Sequence, residues 1–468
     1  MAKKNNICIY NAQLVDKNID CNGMVIIQEE KILAVLQGFF SKEQAISICK
    51  NITKAEETDT DFIDAKNCIL QPAFIDLHAH FRYPGQTEKE DLSSGLHSAV
   101  AGGFGTLVLM PNTNPVVSTV EDSIKICKEA AKYNLADIFQ TISLTRNFDG
   151  KDTSHLDELQ KYNFNLPSTD GGIPIVTEDG RDVESASKML EAMKKCAKKN
   201  ITVSCHSEDF SLAAEARPLR MEALKLLEEN TPQKNIEAFE LLEKANELLT
   251  LAEDIATERN IQLATKANCS VHIAHVSTKG SIESIKYAKK TGKKVTCEVT
   301  PHHLGLSVSS KDENLRHLVN PPIRKEEDRL TIIEAIKNGT VDAIATDHAP
   351  HTTQDKNNGA PGFTGLETAY AVCNMELVQS GFISRSKLSA LMAANPAEIL
   401  GISKGETAKG YLLPGFMADL IICDEQKDWI VEPEKFYSKG KYTPLKNKHL
   451  KGKVLQVIHH GKKIFPFE

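Results

Sequence analysis

What this chain lacks narrows its function before any motif is read. It has no apolar run near the ~18 residues that mark a membrane-crossing helix. Its first residues, Met1-Ala-Lys-Lys-Asn-Asn6, lead into no apolar stretch of the kind a secretory leader needs. Eleven cysteines form no Cys-x-x-Cys pair, and several, such as Cys205, Cys297 and Cys423, sit inside apolar runs. They read as reduced core residues of a cytoplasmic protein. An excess of positive charge is also missing: the net charge is −7 and the pI near 6.1, which argues against nucleic acid as a partner. No Gly-x-Gly-x-x-Gly opens a helix, so dinucleotide binding lacks its phosphate cradle.

What remains is a globular chain of 468 residues, 41% hydrophobic and 25% charged, long enough for one large domain and a smaller one. Residues 1–68 read as short β-runs, among them Ile7–Tyr10, Gly23–Ile27 and Lys31–Val35. From residue 69 to about 400 apolar runs alternate with amphipathic helices such as 119–133, 184–199 and 279–290. The expected strands are 69–77, 106–110, 137–144, 173–177, 201–205, 271–276, 294–299 and 342–346. Eight such βα units predict an α/β fold, a TIM-type (β/α)8 barrel. β-like character returns over 401–468, and the N- and C-terminal segments are expected to form one small β-domain beside the barrel. A stretch of about 212–262, dense in Leu, Glu, Ala and Lys, reads as a helical insertion on the surface, with a lid or an oligomer contact as the sharper possibility.

The chemistry collects where these strands end. Strand one runs into Ile75-Asp-Leu-His-Ala-His-Phe-Arg82. On a strand, residues i and i+2 face the same side, so His78 and His80 can share one metal ion. Arg82 is one more step along that face and offers a planar fork of donors to a carboxylate. The other ends carry Asn112, Glu178-Asp179, His206, His275, His302-His303, and Asp347 with His348 and His351. A lone histidine at a strand end is usually structural, but four with two carboxylates at one end of a barrel make a metal site the better reading. Imidazole and carboxylate without thiolate suit Zn²⁺ in an open, catalytic site. One ion can take His78, His80 and Asp347, a second His206 and His275, with a carboxylate between them. Such a pair activates water, which implies hydrolysis, or its reverse, at a carbonyl carbon. Cys205 should point away from the site by alternation.

Four motifs together carry a resemblance: Asp76-x-His-x-His-x-Arg-x-Pro-Gly85, Met110-Pro-Asn-Thr113, Asn320-Pro-Pro-Ile-Arg324 and Ala345-Thr-Asp-His-Ala-Pro-His351. The chain resembles the amidohydrolase superfamily and, within it, the long bacterial dihydroorotases, over almost its whole length. The resemblance implies reversible cyclisation of N-carbamoyl-L-aspartate to (S)-dihydroorotate. It implies two Zn²⁺ ions per chain on His78, His80, Asp179, His206, His275 and Asp347, with Asp347 also the general base and acid. It implies a small-molecule substrate held by His80, Arg82, Asn112, Asn320 and His351, and a homo-oligomer that binds neither nucleic acid nor membrane. Arg82 and His351 would supply charge-assisted donors to the substrate carboxylate.

Three departures stand out. Glu178-Asp179-Gly180 replaces the family's Asp-Asp-Gly, the loop Ala360–Gly365 is one residue short, and the 212–262 stretch is longer than expected. The nearest rivals, allantoinases and dihydropyrimidinases, typically bridge their metals with a carboxylated lysine, and this chain has no lysine from 162 to 187. A catalytically dead scaffold for a transcarbamoylase would be expected to lose ligands, and none is missing.

Overall fold

The computed structural model describes residues 6–309 and 312–467. Eight short parallel strands lie where the apolar runs predict them: Phe74–Ala79, Phe104–Leu109, Asp137–Gln140, Ile175–Thr177, Thr202–Cys205, Val271–Ile273, Val295–Val299 and Ala343–Ile344. The first three pair as one sheet and the other five as a second. Single parallel bridges, Ser143 with Thr177 and Ala79 with His348, join the two sheets at both seams. The hydrogen bond from Asp347 N to His78 O (3.0 Å) and that from Thr177 N to Ile142 O (3.2 Å) cross the same seams. Helices between the strands cover their outer faces, as parallel strands buried on both sides require. On the first strand, Ile75 and Leu77 pack with Ala397 and Leu400 in one apolar cluster. Asp76 and His78 alternate with them and so face the other way.

The run from 69 to 77, expected as one strand, is two. Ile69–Pro72 belongs to the terminal sheet and Phe74–Ala79 to the barrel. Pro72 offers no N–H to continue a ladder. The next two N–H groups then choose different partners, Ala73 donating to Asp419 O and Phe74 to Gly103 O.

Strands from both ends of the chain interleave in the terminal sheet. Ile69–Pro72 pairs parallel to Asn6–Val15 on one side and antiparallel to Leu420–Ile430 on the other. His449–His459 and Lys462–Phe465 extend one edge, Asp20–Gln28 and Lys31–Gln37 the other. The sheet is tied to the foot of the barrel by Lys409, which is 7% exposed. Its ammonium contacts Asp137, at the start of the third barrel strand, and Asp419 at 2.6 Å. Burial alone would lower the pKa of this lysine, yet the two carboxylates raise it instead.

The insertion is a helical hairpin, Phe210–Glu229 and Pro232–Ala267, N-capped by Asp209 and Thr231. Along the second helix Ala238, Leu242, Ala245, Leu249, Ala252 and Ala256 are buried. Their three- and four-residue spacing makes a single apolar stripe. Arg324 fastens this helix to the loop after the sixth strand, bonding Glu253 (3.0 Å), Leu249 O and Ser277 Oγ.

Lys409→Met should destabilise the fold by ~3–5 kcal/mol, because it leaves Asp137 and Asp419 buried without their cation. Urea unfolding measures this; a loss below ~1 kcal/mol would show that His459 and His460 already neutralise the pair.

Candidate metal centre

The parallel ring puts the ends of its strands at one mouth, and six of the expected side chains meet there. His78, His80, Asp179, His206, His275 and Asp347 are all buried. Asp179 is at their centre. Its Oδ1 lies 3.2 Å from His78 Nε2, 3.5 Å from His206 Nδ1 and 3.8 Å from His275 Nε2, and its Oδ2 3.6 Å from His80 Nε2. Asp347 Oδ1 lies 3.2 Å from His80 Nε2 and 3.7 Å from His78 Nε2. His206 Nδ1 and His275 Nε2 are 2.9 Å apart. Two overlapping groups, His78–His80–Asp347 and His78–Asp179–His275, bring their ligand atoms within 4.8 Å of one another.

The donor set fits a divalent cation. His78 Nε2 and Asp179 Oδ1 are buried and, though 3.2 Å apart, make no well-directed hydrogen bond, a costly arrangement that a cation would relieve. Burial opposes charge on Asp179, but His78, His206 and His275 outweigh it and hold the carboxyl well below the usual range. Asp347 is likewise lowered, against burial, by His80 and His78. Both carboxylates are therefore ionised and able to ligate. Cys205 sits in the apolar core with its pKa raised by burial, and among the described residues no cysteine joins the groups at the centre.

Glu178 faces elsewhere. It accepts from Thr145 N (2.9 Å) and Thr145 Oγ1, and burial pushes its pKa up to about 7.

The expected substrate residues divide. Arg82 is at the rim, 8% exposed, its Nε donating to Pro350 O (3.3 Å) and its Nη2 3.3 Å from His351 Nε2. It does not arrive by strand alternation, since the strand ends at Ala79 and Arg82 has φ +54°, in the left-handed region. His275 (φ +35°) and Asp347 (φ +47°) share that conformation. Backbone strain of this kind concentrates at functional sites, at ~1–3 kcal/mol each.

His351 Nε2 lies 2.9 Å from Pro361 O, so this nitrogen carries the hydrogen. Burial and the cations Arg82 and Lys356 lower its pKa to about 3. The ring is neutral in the free protein, so the charge-assisted donation expected of it falls to Arg82 alone. Asn112 spans two of the ligands, its Oδ1 accepting from His80 Nδ1 (2.9 Å) and its Nδ2 donating to Asp179 Oδ2 (3.1 Å). Asn320 is farther out, its Oδ1 held by Arg220 at 2.5 Å.

Several supports were not singled out from the sequence. Glu298, on the seventh strand, lies 3.5 Å from His78 Nδ1 and 3.1 Å from His272 Nε2. Its pKa is about 2, lowered against burial by His272 and His78. Asp76 accepts from Thr346 N (2.9 Å) and Oγ1 (2.5 Å), and from His78 N (3.2 Å), tying strand one to the segment that carries Asp347. A carboxylate inside an otherwise apolar barrel strand is the signal that could have found both. His303 bonds Thr300 Oγ1 (2.8 Å) and Pro322 O (3.1 Å), as a structural group does.

The family model described as "Amidohydrolase family" matches residues 69–464. A dihydroorotase of Clostridium botulinum is 37% identical over 97% of this chain and 98% of its own. One from Aquifex aeolicus is 37% identical over 95% and 98%. Among solved structures, the L-hydantoinase (dihydropyrimidinase) of Arthrobacter aurescens superposes with a TM-score of 0.78, covering 98% of this chain and 95% of that one at 21% identity, a likeness of fold.

Asp179→Asn should lose most of one metal equivalent per chain, since cations close together repel without an anion between them. Glu178→Gln should retain its metal, because that side chain is spent on Thr145. Metal content after dialysis decides; loss in the Glu178 variant alone would move the bridge to that residue.

Proposed function

The chain belongs to the amidohydrolase family and acts as a metal-dependent dihydroorotase of pyrimidine synthesis, and we propose which of its residues perform that reaction. His78, His80, Asp179, His206, His275 and Asp347 would hold two zinc ions, with Asp179 between them. When bound, the metals supply Lewis acidity and lower the pKa of a water to ~7.

In the hydrolytic direction a water adds to the ring amide carbonyl, and the carbon–nitrogen bond breaks. Asp347 takes one of the two protons of the attacking water and delivers it to the leaving ring nitrogen; the other passes to solvent, leaving a new carboxylate. Ring closure reverses each step. Proton transfer of this kind is worth ~10²–10⁴ in rate. Arg82 holds the carboxylate that the ring retains. Asn320 and His351 orient the ring, while Asn112 keeps His80 and Asp179 in register.

The observation that carries the substrate assignment is Arg82. It is a buried guanidinium beside the metal centre with no carboxylate within ion-pair distance among the described residues. An anionic substrate group would supply the missing partner. Dihydrouracil and allantoin have none. The hydantoinase-like fold keeps a cyclic-amide hydrolase of that kind as the second reading. The absence of lysine from 162 to 187 speaks against the carboxylated bridge expected of it.

A cytoplasmic setting is supported by eleven free cysteines. Homo-oligomer formation is supported by exposed apolar side chains on the insertion, namely Phe210, Ile236, Leu251 and Ile255.

Purified metal-loaded protein, assayed on dihydroorotate, dihydrouracil and allantoin, should prefer dihydroorotate by ~10–100-fold in kcat/KM or more, the worth of one charge-assisted contact. Preference for either uncharged ring would overturn the assignment. Asp347→Asn should keep the fold and lose ~10²-fold or more in kcat. Turnover close to wild type would remove Asp347 from the proton relay.

A further inference from the structure

The insertion lies against the site. Helix Phe210–Glu229 begins four residues after His206 and shares a cavity of about 690 Å³ with Gly180, Glu208, Asn320 and Pro361. It also sits closely on the loop that follows His351. At Gly359 (φ +79°) an added Cβ would stand 2.8 Å from the Leu224 side chain and 3.2 Å from that of Met221. One helix therefore touches both outer segments of the substrate pocket.

Arg220 is the residue through which it reaches them. Although its helix is half solvent-facing, this arginine is 8% exposed and lines the cavity. Its Nη1 donates to Asn320 Oδ1 (2.5 Å) and its Nη2 to Val319 O (3.3 Å), while Nε is buried without a partner. Among the described residues no carboxylate lies within ion-pair distance of it. Burial lowers its pKa to about 10, a measure of how poorly the charge is compensated. The four glutamates of its own helix, Glu215, Glu222, Glu228 and Glu229, make no ion pair with it. A buried, unpaired guanidinium costs folding energy that a methionine here would not.

The contact also settles which way Asn320 points. Arginine can only donate, so the amide atom facing it is the oxygen, and Nδ2 is left for the cavity. We propose that Arg220 is a positioning residue for the substrate: by holding Asn320 Oδ1 it fixes the Nδ2 donor on the bound ring, so the helical insertion sets substrate affinity. The proposal rests on the dihydroorotase reading for the identity of the ring, not for the role of Arg220.

A double-mutant cycle tests it. Arg220→Met should raise KM for dihydroorotate about tenfold, with kcat within about threefold and metal content unchanged. Asn320→Ala should do the same. The double variant should be no worse than Asn320→Ala alone, because both remove one oriented donor. Asn320→Asp gives a second reading should Arg220→Met fail to fold. It keeps an acceptor for Arg220 and raises the melting temperature, yet loses the donor and raises KM at least as far. Unchanged KM in Arg220→Met, fully multiplicative effects in the double variant, or normal KM in Asn320→Asp would each overturn the proposal. The ratios are taken on whichever ring the wild type opens, so a wrong substrate assignment appears in the wild-type panel and leaves the Arg220 result readable.

Discussion

Everything at the mouth of the barrel is arranged around Asp179, a carboxylate held among four imidazoles and shut off from water. His78, His80 and His206 lie within 3.6 Å of its two oxygens and His275 within 3.8 Å. Protein hydrogen bonds alone do not satisfy that group, since His78 Nε2 and Asp179 Oδ1 make no well-directed hydrogen bond where desolvation is most costly. Divalent cations would resolve the conflict by accepting those lone pairs. The site is thus a demand for metal built into the fold, and the reaction chemistry follows from meeting it.

The surrounding structure keeps that demand from relaxing. Glu298 and His272 stand behind His78, Asn112 spans His80 and Asp179, and Asp76 ties strand one to the Asp347 segment. Partners of this sort orient metal ligands and fix their ring nitrogens. The left-handed backbone at His275 and Asp347 belongs with them, because such strain persists only where neighbours over-determine the conformation. Farther out, Arg82 and Arg220 are two buried cations with no carboxylate within ion-pair distance among the described residues.

Much of this was legible in the chain, for physical reasons. All eight barrel strands were visible because parallel strands buried on both faces are written as short apolar runs. Strand alternation turned Cys205 away and, carried one residue past the strand's end at Ala79, paired His78 with His80. It failed for Arg82, where the strand has already ended and a positive φ sets the direction. The break after Pro72 was missed because apolar content does not reveal which sheet a strand joins. Glu298 and Asp76 stand out as carboxylates inside apolar strands, but only the closed barrel shows that one backs the His78 ring and the other ties strand one to Thr346. The insertion read as surface helices because its composition is that of any amphipathic pair. Only the fold shows that Arg220 turns inward to Asn320.

The central claim is that Asp179 bridges two metals in one buried centre. Crystals of the zinc-loaded protein, with anomalous data collected at the zinc edge, test it most directly. Two peaks about 3.5–4 Å apart, as two-metal sites require, with an Asp179 oxygen bound to each, are the expected result. A single peak coordinated without Asp179, or two peaks bridged by Glu178, would contradict the account.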